Sequence, residues 1–575
     1  MIIQSLVSLY NRLSKEEKVP PLGFSVEDIG FSIVINKQGD LVGDPQDLRS
    51  SIKANVYEYR QSVVPYSNKV NVRSSGAKNV ANFMVDKADY IFGMSGKTKK
   101  EVHHKSFTDL IDQVCCDVDE DGVKAVKLFL SKWKAEDAAA LKYWDELSGD
   151  KGKWIAFELE GERGFIHERP EVQKLWKQYV ADQKYEEGLD LASGEKKPIQ
   201  KQYSQFKFGS GASLVSFNES AYESYNKKRG QNAPISVDAE FESSTALKYL
   251  LRSKGQRLKI GDATTVFWTE NNSPVEAFLG MILNPQDDDT NQDLQIFLNA
   301  IRSGQYSSIP DYDGVVKFYI LGLSLNKARL AVRFWYVCKV DDLMNRICEH
   351  FKHLEMEKNR DNDPLNPGIW HLLKETARET KDISRLLGGA LMRSILEGTH
   401  YPLNLFNGVL NRIRVEQAKK DKNSGKSIPN INYLRAAICK AVLTRNYKME
   451  VPMSLDTEKN DIAYLLGRLF AVLEKAQQGA IPGAKVTIKD RFYGSASATP
   501  ASVFPRLLSL ATKHYKKAKF GQYYESIVAE IMEEINSNGF PNHMDLKQQG
   551  LFAIAYYQQR NALFKKKDNS EKSEE

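Results

Sequence analysis

Apolar positions recur at helical spacing near both ends of the chain. Leu6, Leu9, Tyr10 and Leu13 fall on one face of a helix within MIIQSLVSLYNRLSKEEK. Toward the other end, Ile462, Leu465, Leu466, Leu469, Phe470 and Leu473 follow the i, i+3, i+4, i+7, i+8, i+11 spacing of a buried stripe. Between these ends the period shortens to two. Phe31, Ile33 and Ile35 alternate with Ser32, Val34 and Asn36, and Lys37-Gln38-Gly39-Asp40 supplies turn chemistry. Two β-branched and aromatic runs in 315–337 flank Ser324-Leu325-Asn326-Lys327, which predicts a hairpin connected there.

Strands recur over the first 340 residues with helices between them, so the fold class is α+β rather than a regular βαβ array. After Val340 the pattern is helical, with polar interruptions at 358–367 and 419–429 that read as loops. Ser502 is placed to cap a helix with Pro505 in its first turn. Three regions follow: 1–340 mixed α+β, 341–452 helical, and 453–575 a C-terminal helical bundle. The stretch 182–211 is polar, and reads as a linker or long surface loop, with an ordered binding loop as the alternative. The charged end, 567–575, reads as frayed.

With 575 residues, 42% hydrophobic and 27% charged, the chain is an ordinary soluble globular protein of several domains, which excludes disorder and a disulfide scaffold. Its 81 Lys+Arg against 74 Asp+Glu leave only +7, short of an obvious nucleic-acid or membrane-surface protein. The five cysteines, at 115, 116, 338, 348 and 439, form no CxxC pair and suggest a reducing compartment. The N-terminus has no basic leader, and no apolar run approaches the roughly 18 residues of a membrane span. A cytoplasmic protein without membrane contact is expected.

Catalytic chemistry finds little support. Gly93-Met94-Ser95-Gly96-Lys97-Thr98 ends like a phosphate-binding loop, but Ile91 stands where that loop needs its first glycine. Cys348, His350 and His353 share a predicted helix without a fourth ligand and read as structural. We therefore assign no catalytic residue, no metal ligand and no cofactor, and expect a protein that is not an enzyme. The alternative is a nucleic-acid-processing nuclease whose active site is dispersed along the chain.

The distribution of charge is more informative than its sum. Windows 59–85, 314–340, 422–449 and 491–524 contain no Asp or Glu. The first holds Lys69, Arg73 and Lys78 in a run of small and amide residues, VRSSGAKNVAN. Ser74, Ser75 and Gly76 allow close backbone approach to a phosphate, and Arg73, Lys78, Asn79 and Asn82 have side chains that bond base edges. A solvated loop explains the same composition. In the last window Arg506, Lys513, Lys516 and Lys517 fall on one side of a helix, away from Phe504, Leu508, Ala511 and Tyr515. Such a ridge suits contact with a nucleic-acid backbone, and equally a solvated face.

Residues 211–270, GASLVSFNESAYESYNKKRGQNAPISVDAEFESSTALKYLLRSKGQRLKIGDATTVFWTE, resemble the large-subunit family of type I-C CRISPR interference complexes (Cascade). The shared features are an SFN…AYESY core, a QNAPIS block, a TAL…LL helix and a GDATT…FW strand. PPLGFSVEDIGFSIVIN (20–36), SSGAKNVANFMVDKADYIFG (74–93), FYILGLSLNKARLAVRFW (318–335) and YLLGRLFAVLEKAQ (464–477) resemble further blocks in the same order. Family members often carry a Cys-Leu-Val-Thr-Gly element and a His-Pro stretch before the SFN block. Here Asp190-Leu191-Ala192-Ser193-Gly194 and Lys201-Gln202-Tyr203-Ser204-Gln205 stand there instead.

The resemblance implies a subunit that reads a short motif flanking the target in double-stranded DNA, while a guide CRISPR RNA pairs with one strand. It implies an N-terminal region ahead of a small-subunit-like helix bundle. Implied partners are the complex's backbone subunits, its RNA-processing subunit, a small subunit started internally at Met453 (Met449 competes), and a separate helicase–nuclease. By matching blocks, the loop 69–82 is expected to read the motif through Lys69, Arg73, Ser74, Ser75, Lys78, Asn79 and Asn82. Lys227, Lys228, Arg229, Gln231 and Asn232 are expected on the RNA handle or duplex backbone, extended by Arg252, Lys254, Arg257 and Lys259. Helix-capping and turn chemistry ahead of Pro234 is the other reading of that block, and a solvated helix end that of the extension. The ridge Arg506, Lys513, Lys516 and Lys517 is assigned to the displaced or target strand.

Overall fold

A computed structural model describes residues 2–53, 56–66, 80–116, 118–149, 152–206, 212–217, 220–260, 263–283, 292–306, 309, 311–326, 329–360, 363–364, 366–416, 419–420, 427–428, 430–484, 486–535 and 539–564. The fold is α+β, with its larger sheets in the N-terminal half and helices dominating the C-terminal part. The chain forms two compact units: Met1–Ser253 with Leu321–Trp335, and Lys254–Ile320 with Tyr336–Glu575.

The first unit opens with the helix Ile2–Lys15, whose buried face is the predicted set Leu6, Leu9, Tyr10 and Leu13. It packs on the helix Val237–Arg252, where the Tyr10 and Phe241 rings meet edge to face at 5.8 Å. The strand Phe24–Ile35 then forms the middle of a sheet. One edge pairs antiparallel with Gln46–Asp47 and Arg60–Pro65, and the other pairs parallel with Trp154–Leu159. Val85–Asp86 adds antiparallel to Trp154–Leu159. The register shifts between Ile29 and Phe31, and a Cβ on Gly30 would stand 2.1 Å from the Gly152 carbonyl oxygen, so only glycine fits that bulge.

A parallel pair needs a long crossover, and here it contains the helices Glu101–Val114 and Asp121–Lys132. These cover the sheet through Phe107 and Phe129, both packed on Phe157. The helix Pro170–Ala181 adds Trp176, which stacks on Phe83 at 5.3 Å and donates its indole N–H to the Gly23 carbonyl at 2.5 Å.

The polar stretch after this helix is described over 182–206. Glu187–Leu189 pairs antiparallel with Lys196–Pro198. Their turn closes on the buried Asp190 carboxylate, which accepts from Ala192 N, Ser193 N, Ser193 Oγ and Ser236 N at 2.7–3.1 Å. Burial alone would raise the Asp190 pKa, but these bonds hold it below the ordinary carboxylate range. The GKT-like segment is a small hairpin, Met94–Ser95 against Thr98–Lys99, with Gly96 at positive φ, and not a phosphate loop. The expected later hairpin is present as Lys317–Asn326 and Arg329–Lys339. Ser324, Leu325 and Asn326 of the expected connection belong to the first strand, with Ser324 buried there, and Lys327 lies outside the described residues.

In the second unit the hairpin Arg257–Ile260/Ala263–Thr269 precedes a helical assembly. Its central helix, Ile462–Ala480, is surrounded by Ile488–Ala498, Phe504–Lys517, Gly521–Glu534 and Leu546–Phe564. The predicted stripe is therefore only part of its buried surface, which includes every residue from Ala463 to Glu474. Its polar members find partners inside: Arg468 Nε donates to Gln559 Oε1 at 3.1 Å, and Glu474 accepts from Tyr556, Arg560 and Thr487. A Cβ on Gly467 would lie 2.3 Å from the Phe552 carbonyl, so glycine permits the close approach of Leu546–Phe564. That same helix also packs on Tyr433–Tyr447, across the expected division at residue 453. Ser502 does not cap. It lies in a short 3-10 turn, its hydroxyl donating to Thr499 O at 2.7 Å, and the helix begins at Phe504 with Pro505 in its first turn.

Candidate nucleic-acid interface

Lys69, Arg73, Ser74, Ser75, Lys78 and Asn79 lie outside the described residues. The residues bounding that segment, Tyr66 and Val80, line a cleft of about 420 Å³ in the first unit. Trp176, Tyr179 and Tyr185 give it aromatic walls, Gln183, Gln200 and Gln202 amides, and Lys184, Lys201 and Arg229 cations. Residues far apart in sequence, Tyr66 and Val80 on one side and Arg229 on the other, thus share one concave surface. Asn82 is buried, and its side-chain amide is spent on the carbonyls of Pro65 and Val85. It holds the returning chain and presents no donor to a groove.

The block expected on the RNA handle or duplex backbone carries an exposed tip. Lys227 N donates to Ser224 O at 2.9 Å across a two-residue turn in which Tyr225 and Asn226 both have positive φ, 51° and 57°. Two non-glycine residues in that region store backbone strain, which the surrounding bonds must hold. Asn232 supplies them: Oδ1 accepts from Ser224 N at 3.0 Å, and Nδ2 donates to Lys227 O at 2.8 Å and Arg229 O at 3.1 Å. Gln231 Oε1 accepts from Lys228 N, and its Nε2 donates to Glu186 at 2.9 Å. The two amides expected on nucleic acid are therefore committed to the loop, so the turn-chemistry reading describes them well. Lys227, Lys228 and Arg229 remain exposed around Tyr225, which is 93% exposed. Tyr225 escaped the sequence reading, although an aromatic among Ser, Asn and Lys with no apolar neighbours was a signal.

Arg252 is exposed at its helix end, donating to Val26 O at 2.6 Å. Arg257, also exposed, belongs to the other unit with Lys254 and Lys259. In that unit Arg506, Lys513, Lys516 and Lys517 are all exposed on the helix Phe504–Lys517, opposite its buried Phe504, Leu507 and Ala511. Leu508 and Tyr515 are half-buried. Beyond the ridge two exposed rings follow, Phe520 and Tyr523, which charge counting did not reveal.

A model of the family described as CRISPR-associated protein (Cas_Csd1) matches residues 6–564. The chain belongs to that family. No curated protein matches it. The match takes in both units of this Csd1-family chain, with the cleft, the exposed tip and the ridge.

Other reactive-looking groups of the Csd1-family chain are structural in character. His350 Nδ1 lies 2.7 Å from the Tyr401 hydroxyl, and Arg445 Nε donates to His353 Nδ1 at 3.2 Å. Burial pushes the His350 pKa well below its ordinary value, and burial with Arg445 takes His353 to about 4, so both rings are neutral bonding partners. Ser62, His167 and Glu168 also meet, but the carboxylate accepts from the serine at 2.7 Å and not from the imidazole. That is not the order of a proton relay, which needs the acid on the histidine. Among the described residues no three His, Cys, Asp or Glu side chains form a metal-binding group, and no helix is long and apolar enough to cross a membrane.

Proposed function

We propose that this chain is the large subunit of an RNA-guided type I-C surveillance complex. In this reading it recognises the motif flanking the target in double-stranded DNA and helps start strand separation and R-loop formation. It recruits a separate helicase–nuclease and cuts nothing itself. Base pairing with the guide RNA reads the target sequence, and the protein reads only the flanking duplex. Its further partners are the backbone and RNA-processing subunits and a small subunit begun at Met453.

The observation that carries this reading is the common cleft of Tyr66, Val80 and Arg229. Cations, amides and aromatic walls in one concavity offer contacts to phosphates, base edges and unstacked bases. Tyr66 and Val80, on either side of the expected motif loop, line this cleft, and the tip with Lys227, Lys228 and Arg229 borders it through Arg229. Gel shifts of the assembled complex at fixed salt test the assignment. Replacing Lys78 and Asn79 by alanine is expected to abolish preference for motif-bearing duplex while assembly persists. Arg229→Ala is expected to weaken motif-bearing and motif-free duplexes alike. Unchanged affinity and preference in both variants would remove the cleft from the reading. Metal-dependent cleavage of DNA by the purified chain would overturn the non-catalytic role.

A further inference from the structure

Tyr66 also lines a second cavity in the first unit, of about 310 Å³. Its walls come from the strand Phe24–Ile35, the strand Arg60–Pro65 and the helix Val237–Arg252. Four aromatic side chains line it: Phe24, Tyr66, Phe241 and Tyr249. Three cations do as well, Lys18, Lys248 and Arg252, and no Asp or Glu is among the lining residues. Lys18 pairs with Glu16 at 2.7 Å. Lys248 and Arg252 stand one helical turn apart on the same face. The Lys248 ammonium lies 5.3 Å from the centre of the Tyr66 ring, and Arg252 is fixed by its bond to Val26 O at 2.6 Å.

An acid-free lining selects an anion, and aromatic walls select a flat ring. The volume is at the lower end for ligand pockets, roughly 300–1,000 Å³. It is too small for a base pair and adequate for one nucleotide. We propose that this cavity holds a single unpaired nucleotide, its base among the aromatic side chains and its phosphate at Lys18, Lys248 and Arg252. The site rests on the nucleic-acid reading above for the source of its ligand. A nucleotide held there cannot re-pair, so the cavity opposes closure of a duplex opened beside Tyr66. Target DNA and guide RNA offer the same chemistry, and the test separates them.

Complexes assembled on the full chain are loaded with target DNA carrying one 5-iododeoxyuridine at successive positions from the motif, irradiated, and mapped by mass spectrometry. A parallel arm places 5-iodouridine in the guide. Cross-links to Tyr66 or Tyr249 from one position are expected, and the arm that yields them names the strand. Target bound at wild-type affinity with no cross-link to either tyrosine in both arms overturns the proposal. As a second readout, Lys248→Glu with Arg252→Glu is expected to release opened target at least about tenfold faster at fixed salt. Lys248→Arg should behave as wild type. Where the target arm gives the cross-link, wild-type retention by the double variant also overturns the site. Loss of motif preference on replacing Lys78 and Asn79 is a separate outcome, so failure of the cavity and failure of the motif loop are distinguishable.

Discussion

The Asn82 side-chain amide donates to the Pro65 carbonyl oxygen at 2.6 Å and to that of Val85 at 3.0 Å. Its backbone N–H donates to Asp86 Oδ2 at 2.7 Å. These bonds clamp the chain just before and just after residues 67–79, so the expected motif loop springs from a fixed base. Asn82→Ala leaves two buried carbonyls without their donor, a loss of about 2–3 kcal/mol. Denaturant unfolding of the variant is expected to show that loss, and gel shifts a reduced motif preference. A folded variant with full preference would show that the clamp does not set the loop.

What can be read from the sequence divides according to the range of the interactions. The face Leu6, Leu9, Tyr10 and Leu13 is legible because helical period involves only near neighbours. The parallel partner of Phe24–Ile35 is not, because Trp154–Leu159 reaches it only after a long helical crossover. Ile462–Ala480 reads as a stripe because Arg468 and Glu474 look like its wet side. Gln559, Tyr556 and Arg560, which hydrogen-bond them, come from a helix that only the fold brings near. For the site, cation-rich blocks are legible and their meeting is not. Arg229 joins Tyr66 and Val80 in one cleft through tertiary structure alone. Amides mislead for a related reason: Asn82, Gln231 and Asn232 have base-reading chemistry but are occupied by nearby backbone.

The exposed rings of Phe520 and Tyr523 follow in sequence on the ridge of Arg506, Lys513, Lys516 and Lys517. Basic residues followed by aromatic faces suit a single strand, with phosphates on the cations and bases stacked on the rings. Replacing Phe520 and Tyr523 by alanine is expected to cost about 1–3 kcal/mol per stacked base in binding single-stranded DNA. Replacing the four cations should lower the salt dependence of binding instead. Fluorescence anisotropy across a salt series measures both. Equal effects on duplex and single strand would argue against a stacking platform.

Burial of His167, aided by the positive charge of Arg60, lowers its pKa from 6.5 to about 3. Its Nε2 lies 3.1 Å from Ser62 Oγ, and the neutral ring is the native form. An unfolded chain binds the proton at higher pH, so stability from this group is complete above about pH 6.5 and is lost as pH falls toward 3. At about 1.4 kcal/mol per pH unit, the loss by pH 5 is roughly 2 kcal/mol. Denaturant midpoints between pH 7.5 and 5 are expected to fall steadily, more shallowly in His167→Gln. An identical slope in that variant would assign the acid sensitivity to other groups, such as His350 and His353.

A product begun at Met453 would keep the central helix Ile462–Ala480 with its surrounding helices, yet lose Tyr433–Tyr447. In the full chain that lost helix covers one side of Leu546–Phe564, where Gly550 lies against Leu443 and Phe406. Tyr557 Oη donates to Glu357 O at 2.9 Å, and Gln558 Nε2 to Pro452 O at 2.8 Å, both carbonyls outside the product. Leu551 through Tyr557 are all at most 1% exposed in the full chain, so removing that cover lays bare a continuous apolar side. Exposed apolar surface of this kind associates. The isolated 453–575 chain is therefore expected to self-associate in sedimentation velocity, and charge at the uncovered side, as in Gly550→Glu, to reverse it. Intact mass spectrometry of the purified complex shows whether such a product is made. A monomeric 453–575 chain at high concentration would mean that the bundle closes its own surface without the Tyr433–Tyr447 helix.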